Sequence, residues 1–278
     1  LFFKGALMGI ADAMPGISGG TIALLVGIYE ELIESIGGLN FSLFNEIKKN
    51  GFRTFWKKLN GNFFLVLASG IGLSLMSFVK VSATLLYSYP LFVWSFFLGL
   101  IFATIHVIFK LIQKWKNLNF IFLILSIIFS IFITVFTGYN SNEISLIYIL
   151  FSGIIASSAM ILPGVSGSLI LVMLGVYAFL VNSLNNLEIN IIITFAAGAI
   201  IGLVTFSNVL KYLFKNHRDI TYTLMLGLVI GSIEKAWPWN KEFAMEISNF
   251  DLFISIILVF IGFLIVFVLE KFKKSNGK

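Results

Sequence analysis

The chain has 278 residues, of which 59% are hydrophobic and 12% charged, and its mean hydropathy is +1.01. Soluble domains carry about 25% charged residues, and a globule of 31.0 kDa needs such a surface to stay in water. The composition therefore predicts a polytopic membrane protein and excludes a nucleic-acid-binding protein, a secreted disulfide scaffold and a cytosolic enzyme. The chain has no cysteine, which excludes thiol chemistry and cysteine-ligated metals, and we predict no cofactor and no metal site.

Stretches of about 20 apolar residues are long enough to cross the hydrocarbon core as helices. Two apolar regions, 1–36 and 144–184, are interrupted near their middle by Pro and Gly, and we predict a helical hairpin for each. Residues 1–14 would form ~21 Å of helix and residues 144–162 ~28 Å, against a core of ~30 Å, so the choice between re-entrant and fully crossing hairpins stays open. Full spans are predicted at roughly 62–86, 90–109, 118–138, 191–210, 220–233 with a few flanking residues, and 251–269.

The basic residues indicate how these segments are oriented. If both hairpins return to the side from which they enter, 16 of the 19 Lys and Arg residues lie on one side of the membrane, and the other side receives only Lys80, Lys235 and Lys241. Because cytoplasmic loops collect Lys and Arg, we predict a membrane protein with both termini in the cytoplasm. Residues 44–59 combine lysines with aromatic residues and are predicted to form an interfacial helix against anionic membrane lipids.

A sequence repeat organises the chain. Residues 15–29 read PGISGGTIALLVGIY and residues 163–177 read PGVSGSLILVMLGVY, with seven identities in 15 positions at an offset of 148. Residues 68–70 and 98–100 match residues 196–198 and 226–228 at an offset of 128. Each repeat is then a hairpin followed by two spanning helices, and the helix between the repeats reverses the orientation of the second.

The predicted fold is a single all-α membrane domain, residues 1–278, built from two inverted repeats with re-entrant helical hairpins. Inverted repeats with broken helices are typical of secondary transporters, which bind substrate where the repeats meet. The predicted parts are repeat one (1–112, with a basic cytoplasmic loop at 37–61), a linking helix (118–138), repeat two (144–237) and a C-terminal helix (251–270).

The two repeated segments, motif one at residues 15–21 and motif two at residues 163–169, have the chemistry of an anion site. In each, the helix is expected to restart after a serine, Ser18 or Ser166, which is a preferred N-cap. A helix N-terminus carries about half a positive charge and unpaired N–H groups, which bind phosphate or carboxylate. Neither motif contains Arg or Lys, so backbone dipoles and hydroxyl groups would hold the anion and let a carrier release it.

Asp12 is the acid closest to motif one, and Met160 stands at its position in the second repeat. An intramembrane carboxylate is a functional hypothesis by default. Two interpretations remain open: Asp12 couples protons to transport, or it ties the hairpin together by hydrogen bonds. For Lys80 we expect a snorkelling side chain, for His106 a packing role, and for Glu30 and Glu34 a solvated helix face.

The segment GIADAMPGISGGTIALLVGIYEELI, residues 9–33, and ILPGVSGSLILVMLGVY, residues 161–177, closely resemble the bacterial polyprenyl-phosphate transporter (PopT-like) family. The resemblance covers almost the whole chain. It implies that undecaprenyl phosphate, the lipid carrier of cell-wall synthesis, moves from the outer to the cytoplasmic leaflet for reuse. The residues then expected to bind substrate are Asp12, Pro15, Gly16, Ser18, Gly19, Gly20, Thr21, Pro163, Gly164, Ser166, Gly167 and Ser168.

Motif two is the less polar of the pair, because Leu169 replaces Thr21, and equal contact of both motifs with phosphate is therefore in doubt.

Two alternative functions remain open. A membrane polyprenyl-diphosphate phosphatase would need Arg, Lys or a metal at the phosphoryl group, yet Gly19 and Gly167 stand where that family has Arg. A small-anion secondary transporter could use the same dipole site. The coupling ion, the preferred polyprenyl chain and the oligomeric state are not determined by the sequence.

Overall fold

The computed structural model describes residues 1–13, 18–39, 51–135, 144–239 and 247–275, and every regular element within these ranges is a helix. In chain order the helices are α1 (Phe2–Asp12), α2 (Gly19–Leu25), α3 (Tyr29–Gly37), α4 (51–58), α5 (Gly61–Ser88), α6 (Pro90–Leu111), α7 (Asn117–Val135), α8 (Leu146–Ile161), α9 (Gly167–Met173), α10 (Tyr177–Asn185), α11 (Ile189–Asn216), α12 (Arg218–Gly231), α13 (Ile233–Ala236) and α14 (Asn249–Ser275).

All six predicted spans are helical, and each begins within two residues of its predicted start. Four of these helices, α5, α6, α11 and α14, are long and apolar enough to cross a membrane, and the bent pair α9 and α10 raises the number among the described residues to five. The prediction of a full span is wrong for α12, whose 14 residues reach only ~21 Å. The helix stops where the Ser232 hydroxyl donates to the Val229 carbonyl at 2.7 Å, a local bond that competes with helical pairing.

Each predicted hairpin contains two breaks instead of one. The first break separates α1 from α2 and α8 from α9, at the two motifs. The second break lies at Gly27 and Gly175, which occupy equivalent positions and have φ angles of +72° and +69°. Glycine adopts this left-handed conformation without strain, and α9 and α10 meet there at 106°. The helices α1 and α8 measure ~17 and ~24 Å, and both are shorter than a hydrocarbon core of ~30 Å.

Pairs of helices pack backbone to backbone at glycines, and the pairs recur. Gly5 of α1 lies against the Leu67 carbonyl of α5, and Gly153 of α8 lies in the same way against the Phe195 carbonyl of α11. A Cβ at either glycine would overlap the facing carbonyl. Likewise, α6 packs against α14, and α12 packs against α7. In each of these four pairs, residue numbers increase in the same direction along both helices, so the two helices are parallel.

The largest buried cluster joins the two halves of the chain. It includes Leu24 of α2, Ile33 of α3, Leu210 of α11, and Met225 and Val229 of α12, all at most 5% exposed. Within a membrane, van der Waals packing stabilises contacts between such helices, because lipid tails are as apolar as the side chains themselves. The cluster therefore holds the first hairpin against the second repeat, and this places the two motifs side by side.

Candidate functional site: two helix breaks in contact

The N-terminus of α2, in motif one, has its hydrogen bonds satisfied within the protein. Ser18 is the N-cap, as predicted, and its Oγ accepts from the Gly20 amide at 3.1 Å while donating to the Met160 carbonyl at 2.8 Å. The amides of Thr21 and Ile22 both donate to the Ser18 carbonyl. The Gly19 amide donates to a side-chain carboxylate from α1, so every first-turn N–H of α2 has a partner.

That carboxylate belongs to Asp12, whose Oδ1 lies 2.6 Å from the Gly19 nitrogen. Asp12 is the last residue of α1, where the dipole of that helix disfavours a negative charge. The side chain instead faces the N-terminus of α2, where the helix dipole stabilises a negative charge. Gly19 makes this contact possible, because a Cβ there would overlap the carboxylate. The contact agrees with the interpretation that Asp12 ties the hairpin together. Pro15 and Gly16 lie outside the described residues.

The N-terminus of α9, in motif two, is open. Helix α9 begins at Gly167, as predicted, but the Ser166 side chain does not cap it and instead lies 2.8 Å from the Ser168 Oγ. The amides of Gly167 and Ser168 have no hydrogen-bond partner among the described residues. Met160, the counterpart of Asp12, packs beside Gly167 and offers no side-chain oxygen. Ser166 is buried, Gly167 is partly exposed and Ser168 is exposed, so motif two reaches the surface of the protein at the start of α9.

The structure brings the two motifs into direct contact. The Gly164 amide of motif two donates to Thr21 Oγ1 of motif one at 3.1 Å. Gly20 lies against the Ile161 carbonyl, which also accepts from the Tyr29 hydroxyl at 3.1 Å. Gly164 has a φ of +85° and lies against the backbone of Val229, so this turn requires glycine. Pro163, which begins motif two, is fully buried.

A small cavity lies between the motifs. Thr21 and Gly164 line it together with Thr104 of α6 and Ser232 at the end of α12. Its volume of 20 Å³ has room for about one water molecule. This cavity between the described residues of the two motifs is therefore too small for a phosphate group.

A polar cluster that the sequence did not predict joins α3 to the start of α12. Glu30, expected on a solvated helix face, accepts from Arg218 Nη2 at 2.7 Å and from the Tyr222 hydroxyl at 2.6 Å. The charged pair is about half exposed. Glu30 and Glu34 also line an open cleft of 250 Å³ with Lys211 and Lys215. Glu30 is 188 residues from Arg218 and 192 from Tyr222 in the chain, so no local sequence pattern connects them.

The remaining polar predictions concern isolated residues. The His106 ring packs on the Phe267 ring at 5.2 Å between centroids, which agrees with a packing role. The Lys80 side chain lies outside the described part of the structure. Within the described ranges, no group of three or more His, Cys, Asp or Glu side chains is arranged to hold a metal ion.

The chain matches the undecaprenyl phosphate translocase-like family over residues 8–254. The chain belongs to this family. A polyprenyl-phosphate transporter of Vibrio cholerae serotype O1 is 38% identical over 248 residues, which cover 89% of this chain and 80% of the relative. A polyprenyl-phosphate transporter of Staphylococcus aureus is 30% identical over 292 aligned positions, which cover 98% and 96%. No solved structure matches.

Membership of the translocase-like family confirms the resemblance that the two motifs carried, and both motifs lie inside the matched range. The family and both relatives are named as transporters and none as an enzyme. This confirms the prediction of a transporter and sets the phosphatase alternative aside. The apolar helices and the family together make this chain a multi-pass membrane protein.

Proposed function

We propose that this protein transports undecaprenyl phosphate, or a similar polyprenyl phosphate, from the outer to the cytoplasmic leaflet of the bacterial cell membrane. The observation that carries the proposal is its 38% identity, over 89% of its length, to a relative named for polyprenyl-phosphate transport. The open N-terminus of α9 adds a site for the anionic headgroup. Return of the lipid to the cytoplasmic leaflet would make the carrier available for another round of cell-wall synthesis.

The phosphate is bound mainly by motif two. The amides of Gly167 and Ser168 are unpaired among the described residues and point out of the positive end of α9. The Ser166 and Ser168 hydroxyls are hydrogen-bonded to each other at 2.8 Å, so one of them can donate to a phosphate oxygen while that bond is kept. Such a site lacks a fixed cation, so the phosphate is held without a strong ion pair and can be released on the other side.

Motif one positions motif two more than it attracts the anion. Thr21 bonds the Gly164 amide and Ser18 bonds the Met160 carbonyl, so both side chains hold motif two in place. Asp12 occupies the N-terminus of α2 as an internal anion. Gly19 and Gly20 belong to the proposed site because a Cβ at either would overlap Asp12 or the Ile161 carbonyl, and Pro15 and Gly16 belong to it as part of motif one. Proton coupling through Asp12 stays a prediction.

The proposed topology has two inverted repeats with re-entrant hairpins. Recurring glycine contacts support it: Gly5 with Leu67 corresponds to Gly153 with Phe195 at the sequence offsets of the repeat. The contacts extend the repeat, since Gly99 meets Val259 of α14 as Gly227 meets Leu123 of α7. We therefore assign α7 and α14 as the last helix of each repeat, each packed against the other repeat, instead of as a linking helix and a separate C-terminal helix.

The proposed cytoplasmic location of both termini is supported by contacts at one end of the helices. Lys4 donates to the Val26 carbonyl, and Asp219 accepts from the backbone amides of Gln113 and Lys114. With the pair formed by Glu30 and Arg218, these contacts join segments that the charge distribution assigns to the cytoplasm. The chain has no cysteine, so single cysteines introduced near Lys4 and in the loop before α14 would report sidedness by labelling with an impermeant thiol reagent.

Reconstitution in liposomes tests the function. The purified protein is incorporated with labelled undecaprenyl phosphate, and transbilayer movement is measured with and without a pH gradient. We expect movement that depends on the protein, with no release of inorganic phosphate. Absence of movement, or hydrolysis of the lipid, would overturn the proposal. Uptake of free phosphate by the same liposomes without lipid movement would instead establish the small-anion alternative.

A further inference from the structure

An apolar groove lies between α7, α11 and α12 beside motif two. Its volume is 380 Å³, within the ~300–1,000 Å³ of small-molecule sites. We call it the α7/α11/α12 groove. The residues that carry the inference are Leu125, Ser126 and Phe129 of α7, Leu162 at the end of α8, Phe206 of α11 and Leu228 of α12.

The groove presents a carbon surface to any ligand. None of its lining residues is charged, and its two hydroxyl groups are already bonded to their own helices. Ser126 Oγ donates to the Phe122 carbonyl at 2.8 Å, and Thr221 Oγ1 donates to the His217 carbonyl at 2.9 Å. A polar ligand would find no free partner there, whereas an apolar chain would make van der Waals contacts along its walls.

The groove is open on the side that faces lipid. Its rim on α7 is exposed, with Leu125 at 54% and Phe129 at 55%, whereas Met225 and Leu228 at its floor are at most 5% exposed. Large apolar side chains exposed on a membrane helix lie against lipid tails. A hydrocarbon chain can therefore enter sideways from the bilayer without passing through water.

The groove adjoins motif two through Leu162. Leu162 and Leu228 line the groove and pack in one cluster with Val165. Pro163 directly follows Leu162, and the open amides of α9 follow a few residues later. The proposed phosphate site and the apolar groove are thus neighbours, as the headgroup and the chain are in a lipid phosphate.

We infer that the α7/α11/α12 groove binds the isoprene units next to the phosphate of the transported lipid. The inference rests on the proposed function, because motif two must hold the phosphate for the chain to begin at Leu162. A monophosphate ester carries a single chain, which matches one groove leading from one anion site. Phe129 and Phe206 provide aromatic surface for the double bonds of an isoprenoid.

The test fills the groove at its rim. Leu125→Trp adds bulk inside the groove, whereas Ile128→Trp, on the same helix and 58% exposed, adds the same bulk outside it. Both sites face lipid, so neither change strains the core. In liposomes with labelled undecaprenyl phosphate, we expect Leu125→Trp to slow transport about fivefold or more and Ile128→Trp to leave it unchanged. Equal transport by the two variants would overturn the groove while leaving the transport function intact.

A second measurement identifies the occupant. Farnesyl phosphate with a photoreactive group on its last isoprene is cross-linked to the wild-type protein, and the labelled peptides are identified by mass spectrometry. We expect labelling on α7 and α12 that excess undecaprenyl phosphate removes. Labelling elsewhere, or removal by phosphatidylglycerol as efficiently as by undecaprenyl phosphate, would refute an isoprenoid site. A wild-type protein that moves no polyprenyl phosphate at all would refute the proposed function instead.

Discussion

The two motifs share a sequence but differ in the state of their helix N-termini. In motif one, Asp12 and Ser18 satisfy the first amides of α2, and the helix start is buried. In motif two, Met160 stands where an acid would be needed, and the first amides of α9 are unpaired among the described residues. The difference shows that a duplicated turn can become a structural support in one copy and a ligand site in the other.

The cause of the difference lies outside the motifs. The residue that neutralises α2 is Asp12 of the preceding helix, whose carboxylate accepts from the Gly19 amide. One substitution between repeats, Asp12 against Met160, removes the internal anion. Motif two then keeps its positive end available for an external anion. By side-chain polarity alone, Leu169 made motif two the weaker anion site. Its open amides make it the stronger one.

The largest expected effect comes from Met160→Asp, which gives motif two the acid of motif one. The new carboxylate would accept from the Gly167 amide and repel phosphate, since like charges about 4 Å apart near a protein surface interact by about 4 kcal/mol. We expect lipid transport in liposomes to fall by at least about tenfold. The neutral variant Met160→Asn is the control and should retain most activity. Normal transport by Met160→Asp would place the phosphate elsewhere.

Replacing the equivalent serines should separate stability from transport. Ser18→Ala removes an N-cap and its bond to the Met160 carbonyl, at a cost of about 1 kcal/mol in the free energy of unfolding. Ser166 does not cap α9, so Ser166→Ala should leave the melting temperature in detergent almost unchanged. Its effect should appear in transport, as a loss of about two- to tenfold for one hydrogen bond to phosphate. The reverse assignment of the two effects would contradict the comparison.

Asp12→Asn tests the two interpretations of this carboxylate. Its amide oxygen can still accept from the Gly19 amide, so only the charge-assisted part of the bond is lost, about 1 kcal/mol. A larger loss of stability is expected for Asp12→Ala, which leaves that amide without a partner. Transport by Asp12→Asn is then measured across a series of pH values. Full transport by Asp12→Asn at every pH would exclude proton coupling through Asp12, whereas slow transport that no longer responds to a pH gradient would support it.

The smallest effect is expected at the ion pair between Glu30 and Arg218. This pair joins the first hairpin to the second repeat, but both side chains are about half exposed. Exposed ion pairs contribute up to about 1 kcal/mol. A double-mutant cycle with Glu30→Gln and Arg218→Gln should therefore give a coupling energy below ~1 kcal/mol in thermal unfolding, and it should weaken as salt is added. A coupling energy of several kcal/mol would show a structural role comparable to that of motif one.

Much of the fold follows from local patterns. Apolar length located every long helix to within two residues at its start, and the serines at 18 and 166 marked where α2 and α9 begin. The breaks at Gly27 and Gly175 were missed, although both glycines belong to the repeated segment. Their position was visible in the sequence, but a single glycine in an apolar run does not by itself distinguish a turn from a tolerated helical residue.

The sequence alone established the membrane class, the repeat, the helix starts and the residues of both motifs, because apolar length, charge asymmetry and N-cap chemistry depend on neighbours along the chain. Tertiary structure decided which motif is open, how Thr21 meets Gly164, and where an apolar groove adjoins α9. Thr21 and Gly164 are 143 residues apart in the chain, and the groove is formed by four different helices. Whether a helix N-terminus is available depends on what packs against it, and only the folded chain determines that.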